Sequence, residues 1–279
     1  MNLARKQRWA FVMGALAVVA VCVMCSPAPA APVRLDHGNS WVRIDPESPL
    51  GHDIWVVDGW NLLRRQWFWY RVDGVGGPTG EASLDTLDPA PFVFVTDTDG
   101  DTLSDNLFLR YTSPGQGLTI EVNYNLRGGT AGSRRSDLAE TIRIINTATV
   151  SQTVHFYQYM DLILSAGYDT VEIPWPNTAV QWFGALRASE TVVTPVPSHC
   201  EVNAAQVILD ALDDSLPTTL NDQTGPITGD VAWAFQWDVT LAPDGSYLIS
   251  KDKSLVPEPA SVGLLGLGLL GLMARRRRT

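Results

Sequence analysis

Apolar and polar residues alternate at a period of two through much of the middle of this chain, and clusters of Gly, Pro and Asp interrupt the runs at short intervals. Leu118, Ile120, Val122 and Tyr124 fall on one side of one run, and Ile142 and Ile144 flank an outward Arg143 in another. A period of two sends successive side chains to opposite faces of an extended chain, so such runs read as half-buried strands. Strands are predicted at 40–44, 53–57, 62–72, 91–96, 107–112 and 118–125, and again at 138–146, 153–164, 180–183, 190–194, 231–241 and 246–250. The last two are joined by Ala242-Pro243-Asp244-Gly245, where Pro presets φ and Gly accepts a positive φ. Helical spacing occurs once: Val202, Ala205, Leu209 and Leu212 recur at intervals of three and four and predict a short helix over 202–212. Short strands with short turns predict an all-β fold, an antiparallel β-sandwich with one short helix.

Both ends of the chain break this pattern. Arg5, Lys6 and Arg8 precede a nearly unbroken apolar run over 9–24, and Ser26-Pro27-Ala28-Pro29-Ala30 follows. This is the layout of a secretory signal helix, with Ala28 and Ala30 at the cleavage positions. Cys22 and Cys25 follow Val21 and Met24 instead of a small residue, and no twin arginine precedes the apolar run, so export through the general secretory translocon is expected. At the other end, Val256-Pro257-Glu258-Pro259-Ala260-Ser261 leads into an apolar run that ends at Ala274, ahead of Arg275, Arg276, Arg277 and Arg278. Pro257 and Pro259 fix φ and lack N–H groups, which predicts an extended, unpaired stretch around Glu258 that a processing enzyme can grip. As a helix, residues 260–274 would be roughly 22 Å long, short of a bilayer core about 30 Å thick. Local thinning and snorkelling arginine stems close that gap, and a basic end stays in the cytoplasm. A C-terminal transmembrane helix that holds the chain in passing is the expectation. The chain thus divides into a signal peptide (1–30), a β-sandwich domain (31–250), a tether (251–256) and a sorting tail (257–279).

A cleavable signal at one end, with Val-Pro-Glu-Pro, a short apolar helix and an arginine cluster in that order at the other, resembles the PEP-CTERM proteins of Gram-negative bacteria. The resemblance implies a tail read by an exosortase, a multi-pass membrane protease or transpeptidase. It makes Val256, Pro257, Glu258, Pro259, Ala260 and Ser261 the sorting motif and Arg275, Arg276, Arg277 and Arg278 the membrane-stop cluster. It also implies export across the inner membrane, then delivery to the cell surface or to an exopolysaccharide, biofilm-type matrix. The stretch 229–253 is similar to a closing hairpin in a subset of these proteins with sandwich bodies, which implies a fold and no activity.

Without its two ends the chain has a different charge. Residues 31–257 hold 13 Lys and Arg against 29 Asp and Glu, a formal charge of −16. That excludes nucleic acid as a partner, because its binding depends on basic contacts to phosphate. Cys200 is the one cysteine left, so no intrachain disulfide is expected and burial must hold the core. There is no Gly-x-Ser-x-Gly elbow, metalloprotease helix or phosphate loop, and His37, His52, His155 and His199 lack ligand spacing. Carboxylate pairs such as Glu140 with Asp161, or Asp58 with Asp73, could act as acid and base; spacing selects none of them, so no catalytic residue is assigned.

Asp97, Asp99, Asp101 and Asp105 alternate in a Gly-containing loop and could converge hard oxygens on Ca²⁺, the one cofactor under consideration. The same residues suit a plain acidic hairpin turn. Trp67 and Trp69 share a strand face with Arg65 and Arg71 while Phe68 and Tyr70 take the other, which fits burial between layers or a stacking platform for sugars. Taken together these features predict an exported, non-catalytic surface or matrix protein in contact with exopolysaccharide. The alternative is an exported carbohydrate-active enzyme on a sandwich scaffold.

Overall fold

A computed structural model describes residues 31–74, 79–87, 90–165 and 168–257. The expected signal peptide with Ala28 and Ala30, and the tail from Glu258 to Arg278, lie outside the described residues. The strands in chain order are β1 (Val33–His37), β2 (Ser40–Ile44), β3 (His52–Val57), β4 (Trp60–Asn61), β5 (Leu63–Val72) and β6 (Ala82–Ser83). They continue with β7 (Phe92–Thr96), β8 (Asn106–Ser113), β9 (Leu118–Gly128), β10 (Ser136–Asn146), β11 (Gln152–Leu162) and β12 (Asp169–Trp175). Next come β13 (Thr178–Phe183), β14 (Leu186–Thr194) and β15 (His199–Ala204), which runs into α1 (Ala205–Asp213). The last three are β16 (Ile227–Gly229), β17 (Val231–Leu241) and β18 (Ser246–Pro257).

Two antiparallel sheets face each other as the alternating pattern requires. The first runs β1-β2-β3-β5-β11-β17-β15, with β4 on β3 and β6 on β5; the second runs β16-β12-β13-β14-β18-β10-β9-β8-β7. In the second sheet the registers Ile120↔Ile144 and Val122↔Ile142 stack inward apolar residues, while Glu121 pairs outward with Arg110 at 2.8 Å. One buried and one wet face is the usual reason for strict alternation.

The centre of the first sheet, in β5, β11 and β17, is buried on both faces. Phe68, Phe156 and Trp237 form a chain of rings on its inner side, at centroid distances of 5.5 and 6.2 Å. Trp67, Trp69, Tyr157 and Tyr159 lie on its outer side, and α1 packs over that side through buried Ala205, Ile208 and Leu212. Trp69 Nε1 donates to Asp213 at 2.8 Å, and the Tyr157 hydroxyl donates to the Thr218 carbonyl at 2.7 Å. Five buried tryptophans, Trp55, Trp67, Trp69, Trp233 and Trp237, each donate their indole N–H to a partner, which lets an amphipathic ring sit in a core.

Three expectations need correction. The helix begins at Ala205 instead of 202, because Val202–Ala204 complete the ladder of β15 on β17. Residues 251–256 are no tether: β18 continues to Pro257 in the middle of the second sheet, between β10 and β14. The polar composition of that stretch suggests a linker, yet Lys251 and Lys253 are each only 1% exposed. The unpaired stretch expected around Glu258 does not include Val256 and Pro257. Val256 pairs with Arg187 and Pro257 with Leu186. Among the described residues no helix is long and apolar enough to cross a membrane.

Candidate functional site

The acidic loop brings together three of its four expected ligands. One carboxylate oxygen each of Asp97, Asp99 and Asp101 lies within 4.8 Å of the others, and all three residues are exposed. The loop itself sets this arrangement. Asp97 accepts N–H groups from Asp99, Gly100 and Thr102 at 3.1, 2.7 and 2.8 Å, and the Gly100 bond, with Thr102 next, holds its carboxyl below the usual range. Gly100 sits at φ +84°, where a side chain is disfavoured. Asp105 stands apart: it is buried and takes the N–H and hydroxyl of Thr98 at 2.8 and 2.6 Å.

The carboxylate pairs are not assembled into acid–base sites. Glu140 points into the core from β10, whereas Asp161 lies 3.5 Å from Arg64 on the outer side of the first sheet. Burial raises Asp161 to about 6 against the pull of Arg64. Asp58 ties down the turn at 132–134 through the N–H groups of Gly132 and Arg134, and Asp73 holds Arg71 and His155. Burial pushes the Cys200 thiol up to about 11, with Asp222 and Glu201 adding to the rise, so it is no nucleophile.

A cluster that spacing did not reveal lies on β11, β15 and β17. His155 places Nδ1 at 2.6 Å from Asp238 and Nε2 at 3.1 Å from Asp73. His199 places Nδ1 at 2.9 Å from Asp222 and Nε2 at 3.8 Å from Asp238. His155 and Asp238 are register partners, and His199 sits one strand over, opposite Gln236. Sequence distance hides that relation. His155 has a carboxylate within hydrogen-bond reach of both ring nitrogens and His199 of one, so the two rings act as struts between neighbouring strands.

The core itself contains charge. Glu140 faces Lys251 across β10 and β18, and Glu190 faces Lys253 across β14 and β18. Lys251 Nζ lies 2.6 Å from Glu140 and 3.1 Å from Glu190, and Lys253 Nζ contacts Glu140. From the first sheet, Gln158 Nε2 and Trp233 Nε1 donate to Glu190 at 2.6 and 2.9 Å, and Lys251 contacts Gln158. Burial alone would raise Glu140, but the two ammonium groups outweigh it and hold the carboxyl at about 2. Beside the network, burial and then Lys253 lower His52 to about 4, so its ring is neutral at pH 7. These groups bind the sheets to each other and have no opening to solvent.

An accessible cavity occurs where the chain leaves the domain. A cleft of about 670 Å³ opens between the two sheets. Val57, Trp60 and Leu62 line it from the first sheet, and Phe183, Leu186 and Leu255 from the second, with Pro257 beside them. Its polar lining is Asn61, Arg134 and Ser165, and no Asp, Glu, His or Cys lines it among the described residues. Asn61 is occupied: its amide donates to the Leu63 carbonyl at 3.0 Å, and its oxygen accepts the Trp55 N–H at 3.0 Å. The cleft is shaped to take an apolar group and lacks the titratable pair that acid–base chemistry needs.

Comparison with solved structures defines the class of fold. The chain is similar to a protein of Escherichia coli K12 described as a candidate aldose 1-epimerase, at 11% identity and a TM-score of 0.50, over 82% of this chain and 99% of that one. It is also similar to the GalM/aldose epimerase homologue from C. elegans, at 9% identity and a TM-score of 0.51, over 82% and 99%. The protein is therefore an antiparallel β-sandwich whose fold resembles that of these aldose epimerase homologues, and at these identities the likeness is one of fold alone. Residues 255–278 match the PEP-CTERM protein-sorting motif, so this chain is a sandwich protein with a PEP-CTERM sorting signal. No curated protein matches the sequence.

Proposed function

We propose that the protein is a non-catalytic surface component, exported and then sorted by an exosortase, whose sandwich is presented to an exopolysaccharide matrix. The observation that carries this is the junction at Pro257: the sorting motif starts at residue 255, inside the last strand of the domain. The absence of Asp, Glu, His and Cys from the described lining of the cleft argues for a non-catalytic role. Exposed Trp175 and the stacked, exposed pair Phe92 and Phe94 offer ring faces to sugars, and the three converged aspartates offer a seat for Ca²⁺.

Glu258→Ala, expressed in cells with an exosortase, tests the sorting. The expected result is a full-length chain that stays with the membrane and a loss of surface protein; normal processing and surface yield would overturn the reading. The alternative, a carbohydrate-active enzyme on this scaffold, requires turnover, and release of reducing ends from matrix polysaccharide would establish it.

A further inference from the structure

We infer that the cleft beside Pro257 docks the sandwich on the membrane face by taking a phospholipid acyl chain for as long as the tail is uncut. This rests on the proposed sorting, since it needs a tail held in the bilayer.

Three observations point to lipid. The cleft is apolar on walls from both sheets, and its volume of about 670 Å³ lies within the usual range of ligand pockets. Its rim is an exposed apolar patch in a strongly acidic domain: Trp60 is 71% exposed and Phe183 48%. Isolated exposed apolar residues are ordinary, but two aromatics at the mouth of an apolar cleft mark a contact surface. Tryptophan suits the headgroup layer in particular, where an amphipathic ring is half wet. Arg134, the one cation of the described lining, would meet a lipid phosphate there.

The third observation is distance. Pro257 lines the cleft, and the apolar run of the sorting signal starts at Val262. Five residue steps span at most about 18 Å, and the polar layer of a leaflet is about 5–8 Å thick. With the tail in the bilayer, the cleft mouth is held within reach of the lipids. Docking would steady the junction around Glu258 while the exosortase acts, and cleavage would release it.

Photocrosslinking on the full chain, reconstituted in phosphatidylethanolamine/phosphatidylglycerol vesicles, tests this. Trp60→p-benzoylphenylalanine and Phe183→p-benzoylphenylalanine probe the cleft. Trp175→p-benzoylphenylalanine is the matched control, because Trp175 is 63% exposed at the end of the β12–β13 hairpin remote from Phe183. The expected result is a phospholipid adduct, by mass, at least fivefold more abundant at 60 and 183 than at 175. Equal labelling, a crosslink to residues 258–279 of the same chain, or a crosslinked dimer would each overturn the docking. Extraction with alkaline carbonate separates the two levels. A chain released by carbonate refutes the membrane-held tail and the docking with it, whereas a chain that stays embedded without adducts refutes the docking alone.

Discussion

Glu140, Glu190, Lys251 and Lys253 put four charges where a sandwich ordinarily places apolar side chains. Such groups compensate one another only as a set, because each ion left alone keeps its desolvation cost. Glu190→Gln leaves two ammonium groups facing Glu140, and should destabilise the fold by roughly 3–5 kcal/mol. A urea midpoint unchanged from wild type would show that the network holds nothing together. His52 supplies a pH dependence of known sign. Its folded value of about 4 lies below the ordinary 6.5, so the unfolded chain takes up the proton first. Stability is therefore lost as pH falls from about 6.5 to about 4, by up to roughly 3 kcal/mol. In His52→Gln that contribution disappears, so the stability difference between wild type and variant should change by this amount between pH 7.5 and 4. A difference that stays constant with pH would contradict the assignment.

Among the elements, β18 differs most from what its sequence suggests. Ser254 faces outward between Asp137 of β10 and Ser189 of β14, in the interior of the sheet. Ser254→Pro removes a ladder N–H and strands its acceptor, at a cost of about 1–3 kcal/mol or more. A flexible tether would accept the same change, so an unaltered melting temperature would restore that view. Period-two alternation made β9, β10 and β17 legible, because each has a wet or a plainly apolar side. The stretch from Lys251 was not legible: Lys-Asp-Lys-Ser alternates in space between inward ammonium and outward polar groups, and both classes read as solvent-facing. Similarly, β15 is hidden behind a helical pattern, since Val202 belongs to the strand and Ala205 to the helix.

At the scale of the molecule, layering determines which groups are available. The segment from α1 to Leu220 covers part of the outer side of the first sheet and takes the Trp69 indole on Asp213, while Trp67 is buried with its indole on Asp85, so both are core residues, whereas Trp60 and Trp175 remain exposed. If the sandwich contacts matrix sugars, a polysaccharide array should show binding that weakens in Trp175→Ala and, where the aspartate loop contributes, on chelation of Ca²⁺. Binding indifferent to both changes would remove the sugar-facing role from these groups. The cleft has its place for the same reason: the two sheets part at the end where β18 releases the chain, next to the start of the sorting signal.

Sequence alone determined the C-terminal sorting motif, the period-two strands, the acidic charge and the loop that turns at Gly100, because each depends on neighbours within a few residues. Tertiary structure decided the rest. It paired Lys251 and Lys253 with glutamates from other strands, set His155 and His199 around Asp238, separated Glu140 from Asp161, and opened the cleft at Pro257. Those relations depend on strand order and register, which bring together residues more than a hundred positions apart, and local periodicity carries no record of them.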